Sequence, residues 1–295
     1  MILKASDIGE LAVQLLSREG PGEVTRVFPR SLYLRSGDDF LLLLWGPLKS
    51  PMTVNMQHGK AAGGAFDVGQ RVKLRRGKIE SDTCTIDGSG GKVHRSSLLA
   101  ARMATLPTSS ELVKGVTILK SLYDVAPQGP VLPGDASFAA FVEKTLLPFA
   151  GGRDDVVFRF QNYLGLVGRG GGFTPAGDDF VAGFVGTFNF LSRCNNSRAI
   201  VVPKESVLSR TVPESGAIIV YSSRGYVDEG LERLILASTS AYGTGFSDEL
   251  LSVASRGHTS GVDMSLGVLL CEAAAADRTD HGNALRLCLR ALRER

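Results

Sequence analysis

AARMATLPTSSELVKGVTILKSLYDV, residues 100–125, is where the chain changes its period. Upstream lie short segments of β-type residues: EVTRVFPR (23–30), SLYLRSG (31–37), DFLLLLWG (39–46), MTVNMQ (52–57), QRVKLRRGKIES (70–81) and CTIDGSGGKV (84–93). Gly, Asp, Ser and Pro punctuate them, and SGDD (36–39) has the residues of a hairpin turn. Downstream the apolar spacing becomes helical. SSELVKGVTILKSLYDV (109–125) predicts a helix behind a Ser cap with Glu111 close by, and DASFAAFVEKTLLPF (135–149) predicts a second. TPAGDDFVAGFVGTFNFLSR (174–193), VDEGLERLILAST (227–239), SDELLSVASR (247–256), SGVDMSLGVLLCEAAAAD (260–277) and HGNALRLCLRALRER (281–295) continue the series. Strands first and helices after predict an α+β fold: an antiparallel β barrel or sandwich over 1–105, then a mainly helical domain over 106–295.

A chain of 295 residues buries roughly three quarters of its unfolded surface and needs no staple. The apolar fraction of 43% and charged fraction of 21% are those of a globular protein. Net charge is +3 and the basic residues are dispersed. Their densest cluster, RVKLRRGKIE, alternates like a strand with one wet face, so no nucleic-acid partner is expected. Cysteines at 84, 194, 271 and 288 and histidines at 58, 94, 258 and 281 form no C-x-x-C, H-x-H or H-E-x-x-H, which argues against a zinc site of familiar spacing. Free thiols in a reducing cytosol fit this usage. The N-terminal MILKASDIGELAVQLLSREG has early acids and no unbroken apolar core, unlike a signal peptide. FLLLLWGPL (40–48) is far short of the ~20 residues that cross a bilayer, so a cytoplasmic protein without membrane contact is expected.

The helical half contains one stretch unlike packing material, GLVGRGGGFTPAGDDFVAGF (165–184). Glycine loses the most backbone entropy on folding, so clustering it in one loop is costly. The stretch lacks the Gly-Lys-Ser/Thr of a P-loop and the acid ~20 residues downstream of a dinucleotide fold. It also lacks the G-x-S-x-G of a nucleophile elbow. Thr174 suits an N-cap and Pro175 a first helical residue. Asp178 and Asp179 then end the first turn, where the helix dipole favours negative charge. Gly168, Gly170, Gly171 and Gly172 lead in, and free N–H groups at such a helix start hold phosphate or carboxylate. The alternative is a well-capped helix with no ligand, whose small residues Asp178, Ala182 and Gly186 admit a close neighbour. Adjacent on a helix, the two aspartates point about 100° apart. One of them is expected to face a site while the other caps or packs.

SRGHTSGVDMSLGVL (255–269) resembles that helix start. Thr259 and Asp263 have the spacing of Thr174 and Asp178, and Gly267 matches Gly183. Ser260 with Asp263 can instead form a capping box, which is purely structural. His258 in the same turn can donate a proton or bind an anion, or simply pack. Two such starts suit a site of converging helix N-termini. In LSRTVPESG (208–216), Ser209, Arg210 and Thr211 precede another helix, and Arg210 or Arg169 can supply the full charge a phosphate needs.

GRGGGFTPAGDDFVAG (168–183) resembles the signature G-x-G-x-G-L-T-P-S/A-G-D-D-F-L-x-G of a family that includes AllH, a subunit of bacterial oxamate carbamoyltransferase. The likeness falls on Gly168, Gly170, Gly172, Thr174, Pro175, Gly177, Asp178, Asp179, Phe180 and Gly183, with Phe173 in place of the usual leucine. GHTSGVD (257–263) is similar to the family's second block, at Gly257, His258, Thr259, Ser260, Gly261 and Asp263, and the strand-rich start with LLLLWGP is similar to its N-terminal part. The resemblance implies transfer of a carbamoyl or related acyl group beside FdrA-like and AllG-like subunits. In the oxamate case, oxamate and carbamoyl phosphate exchange with oxalurate and phosphate. Small anionic substrates agree with the residues. Gly168, Arg169, Gly170, Gly171, Gly172, Thr174, Gly177, Thr259, Ser260, Asp263 and Arg210 are the expected binding residues. Asp178, Asp179 and His258 are the expected acid–base residues. Two alternatives stay open: a non-catalytic subunit that binds an anion or docks a partner, and a hydrolase using a divalent metal at Asp178 or Asp179.

Overall fold

A computed structural model describes residues 1–56, 66–125, 132–240, 245–257 and 259–294. His258 therefore lies outside the described residues. The chain divides into two units, Met1–Ser96 and Ser97–Arg295.

The first unit is a closed barrel. Its elements are β1 (Ile2–Gly9), α1 (Glu10–Ser17), β2 (Gly20–Phe28), β3 (Ser31–Ser36), β4 (Asp39–Leu44), β5 (Thr53–Met56), β6 (Arg71–Arg75), β7 (Lys78–Glu80), β8 (Thr85–Asp87) and β9 (Lys92–His94). Eight strands follow the ring β5-β4-β3-β2-β6-β7-β8-β1, and β1 closes it by pairing back to β5. β9 is an extra strand, parallel to the second half of β1. Most neighbours are antiparallel; β1–β8 and β4–β5 are parallel. Alternation puts Leu32 and Leu34, Val72 and Leu74, and Ile79 and Ile86 inside, where α1 adds Ala12, Leu15 and Leu16. An eight-stranded barrel is narrow enough for such side chains to fill. The SGDD hairpin forms with Ser36 opposite Asp39. QRVKLRRGKIES and CTIDGSGGKV each prove to be two strands, the first folding back at Arg76–Gly77, where both φ angles are positive as in a type I′ turn.

The second unit is helical: α2 (Ser109–Val125), α3 (Ala136–Phe141), α4 (Leu147–Ala150), α5 (Ala176–Cys194), α6 (Lys204–Leu208), α7 (Pro213–Ser223), α8 (Glu229–Ser238), α9 (Phe246–Ala254), α10 (Ser260–Asp280) and α11 (Ala284–Arg293). Thr108 rather than a serine caps α2, exchanging hydrogen bonds with Glu111. At the centre lie α5 and α10. α5 is buried from Ala176 to Ser192, which a helix apolar on every face requires. Phe180, Phe184 and Phe188 stack along it and meet Phe141, Tyr163 and Phe149 edge-on or tilted. No described helix is long and apolar enough to cross a membrane.

Candidate functional site

Glycines set the spacing of the central helices. A Cβ on Gly183 would stand 2.1 Å from the Met264 carbonyl oxygen, and one on Gly267 would stand 2.2 Å from that of Phe180. The contact is reciprocal, because Met264 and Phe180 hold the same place in their helices, the fifth residue of each. Six residues earlier in each helix, a Cβ on Gly177 would stand 2.0 Å from the Leu166 oxygen, and one on Gly261 would stand 1.9 Å from the Val253 oxygen. The frame Gly-x-Asp-x-x-x-Gly thus occurs at 177–183 and 261–267, and a local pseudo-two-fold relates the two copies. It pairs Asp263 with Asp179, correcting the expected match with Asp178. The close approach of the two central helices falls beside the expected stripe of Asp178, Ala182 and Gly186, at Gly183.

Each aspartate has its own task. Asp178, 1% exposed, accepts the Gly168 N–H at 2.7 Å on Oδ1, and the Ser215 hydroxyl at 2.7 Å and the Thr211 hydroxyl on Oδ2. Burial raises its pKa, and those three donors pull it back. The carboxyl therefore ties the glycine loop to the start of α7. Asp179 points elsewhere, as adjacent helical positions must. The hydroxyls of Ser260 and Thr174 hydrogen-bond to it, and the same two hydroxyls lie 2.8 Å from each other. Burial holds its pKa well above the usual carboxylate range, and the nearby Asp263 and Asp178 add to the effect.

Asp263 is fully buried and accepts the Tyr123 hydroxyl on Oδ1. Burial pushes its pKa to about 7, against the Tyr123 and Thr259 hydroxyls. Asp179 Oδ2 and Asp263 Oδ2 are both buried with no hydrogen-bond partner among the described residues. The expected capping box is not formed: Thr259 caps α10 without a side-chain bond, and the Asp263 carboxyl turns inward to Tyr123. At α5 the cap falls on Pro175, one residue beyond the expected Thr174, whose hydroxyl is spent on Ser260 and Asp179.

The loop itself divides. The amides of Gly168, Arg169 and Gly177 are taken by Asp178 Oδ1, the Leu166 carbonyl and the Arg169 carbonyl. Gly168 and Gly177 are glycines because carbonyls crowd them; a Cβ on Gly168 would stand 2.2 Å from the Arg210 oxygen, at φ +79°. These three amides are thus not free to grip an anion. Gly170, Gly171 and Gly172 are exposed, and their amides bond to no other described residue. Gly170 and Gly172 have φ of +96° and +99°. The Arg169 Nε lies 3.4 Å from the Gly165 carbonyl and an Arg210 guanidinium nitrogen 3.3 Å from that of Leu164, with both residues exposed.

Asp178, Asp179, Thr174, Thr259, Ser260, Asp263 and the loop are thus gathered where α5, α7 and α10 begin. Among the described residues, the Ser209 hydroxyl bonds to the Ser206 carbonyl in its own turn. Sequence reasoning missed Ser215 and Tyr123. Ser215 lies in α7 whereas Thr211 precedes its Val212 N-cap, so no shared helical face joined them in the sequence. Tyr123 gave no signal, since its place in α2 is that of a core residue and its partner is 140 residues away. Among the described residues, no three His, Cys, Asp or Glu side chains group as metal ligands.

Residues 166–272, which hold both helix starts, match the family model AllH, described as oxamate carbamoyltransferase subunit AllH. No curated protein and no solved structure matches the chain.

Proposed function

We propose that the chain is an AllH-type subunit of a carbamoyltransferase that holds a small phosphorylated or carboxylate substrate at its glycine loop. One observation carries this reading: three consecutive exposed amides, Gly170–Gly172, unbonded to any described residue, beside three converging helix starts. Partial positive charge from those termini favours an anion there, and Arg169 and Arg210 flank the loop with full charge. In carbamoyl transfer the acceptor nitrogen attacks the carbamoyl carbon, the bond to phosphate oxygen breaks and phosphate leaves. The loop amides stabilise the charge gathering on that phosphate. A proton must pass from the acceptor nitrogen to the leaving phosphate, and Asp179, whose Oδ2 has no partner among the described residues, carries that acid–base part, whereas Asp178 anchors the loop. His258 keeps its proposed part in proton transfer. A subunit implies partners, here FdrA-like and AllG-like chains.

The test is phosphate release from carbamoyl phosphate and oxamate by the full chain mixed with both partners. Turnover requiring all three chains is expected, as is phosphate binding by this chain alone. Failure of this chain to bind phosphate or carbamoyl phosphate would overturn the reading. The burial of Asp179, 2% exposed, favours a second reading in which the anion sits here and the chemistry lies on a partner. Asp179→Asn separates the two: binding without turnover supports the first, and binding with full turnover the second.

A further inference from the structure

Across the pseudo-two-fold, Asp179 and Asp263 occupy the fourth position of α5 and α10. The reciprocal glycine contacts bring the two main chains together within one turn of both carboxyls. Each presents an oxygen, Oδ2, that is buried and has no partner among the described residues. Two buried carboxylates side by side repel and lack solvation, so neither oxygen is stable as an unpaired anion. A single proton resolves both problems, turning one orphan acceptor into a donor for the other.

We propose that Asp179 and Asp263 form a proton-sharing pair, the acid–base centre of this helix crossing, with Tyr123 as the positioning residue that decides which carboxyl holds the proton. Tyr123 donates to Asp263 and so favours Asp263 as the carboxylate, leaving the proton on Asp179. The raised pKa of both carboxyls agrees with a shared proton. The groups facing the pair are Tyr123 from α2, Asp178 from α5, and the hydroxyls of Thr174, Thr259 and Ser260. Thr174, half-buried, follows the glycine loop in the chain and meets the half-buried Ser260 at 2.8 Å, which places the pair near the proposed anion cradle. The pair rests on the proposed function only in that last placement.

The experiment is a pH titration of the full chain carrying carboxyl-¹³C aspartate, followed by NMR, with Asp179→Asn identifying the resonance. In Asp263→Asn, the Asp179 resonance should titrate at a pH at least one unit lower, a tenfold loss of proton affinity. An unchanged Asp179 titration would overturn the pair, because burial alone would then account for the raised value. Tyr123→Phe is the milder variant. It should shift the proton toward Asp263 and the Asp179 signal toward the ionised form, whereas a silent Asp179 signal counts against coupling. Calorimetry with inorganic phosphate on the same proteins keeps the two readings apart. Coupled titration without phosphate binding upholds the pair and removes the cradle; phosphate binding with uncoupled titration does the reverse.

Discussion

The two helix starts at 177–183 and 261–267 share one backbone frame and differ in everything attached to it. Both place glycine against a carbonyl, aspartate at the fourth helical position and a second glycine on the partner helix. Ahead of α5, however, runs a loop with bare amides, and the frame's second residue is Asp178, which pins that loop. At the same place α10 has Val262. The segment before α10 has its arginine engaged instead, Arg256 bonding to Asp228, the N-cap of α8. The carboxyls differ likewise: Asp179 meets the Thr174 and Ser260 hydroxyls, Asp263 the Tyr123 phenol. Glycines thus fix how closely the helices cross, while the residues before and around each start decide which end can receive a ligand.

The frame is the part whose disruption costs most. Gly183→Ala or Gly267→Ala drives a Cβ into main chain that has no rotamer to relax, and each should cost about 3 kcal/mol in urea unfolding. Gly186→Ala, also in α5 but with its Cβ 3.4 Å from a methyl of Val227, should change stability by under about 1 kcal/mol. Equal effects at 183 and 186 would break the reciprocal contact. Asp178→Asn turns one of the two oxygens that serve three donors into an NH2 group. It should lower stability by about 2 kcal/mol and weaken phosphate binding by loosening the loop, measured by unfolding and calorimetry.

The pH dependence sharpens the comparison further. An acid whose folded pKa is raised stabilises the fold below its unfolded pKa, and that stability is lost as pH climbs through the folded value. Asp263 should therefore contribute a fall in stability between about pH 4, its unfolded value, and about 7. Its slope is at most about 1.4 kcal/mol per pH unit. Glu272, which accepts the Ser238 hydroxyl at 2.6 Å further along α10, is raised by burial to about 8 and extends the fall upward. Asp263→Asn should remove its share of the fall up to about pH 7, and Glu272→Gln its own share there together with the part that persists to about 8. The smallest effect belongs to the loop tip. A Cβ on Gly171 meets nothing within 4 Å, and Gly171→Ala should alter stability by less than about 0.5 kcal/mol. Gly172→Ala, forced to φ +99°, should cost about 1 kcal/mol by the same measurement.

Much of the fold was legible before any coordinates. Most strands of the barrel and nearly every long helix followed from period and punctuation, since those signals are local. β1 did not, because its partners β5 and β8 are distant in sequence and no hairpin turn announces them. The candidate site was half legible. The loop, the two aspartates and the second helix start stood out as glycine clustered directly before acids in a first helical turn. That Gly168 and Gly177 serve packing, and that Asp178 binds Ser215, depended on carbonyls and hydroxyls brought in from other elements.

By itself, the sequence determined a β-rich first part, a helical second part, and glycine-flanked aspartates at two helix starts, because periodicity, capping and backbone freedom act over a few residues. Tertiary structure alone decided that Asp263 corresponds to Asp179, that Tyr123 meets it from α2, and which loop amides stay bare. Those outcomes depend on how closely two helices far apart in the chain can cross, and only the packed fold sets that distance.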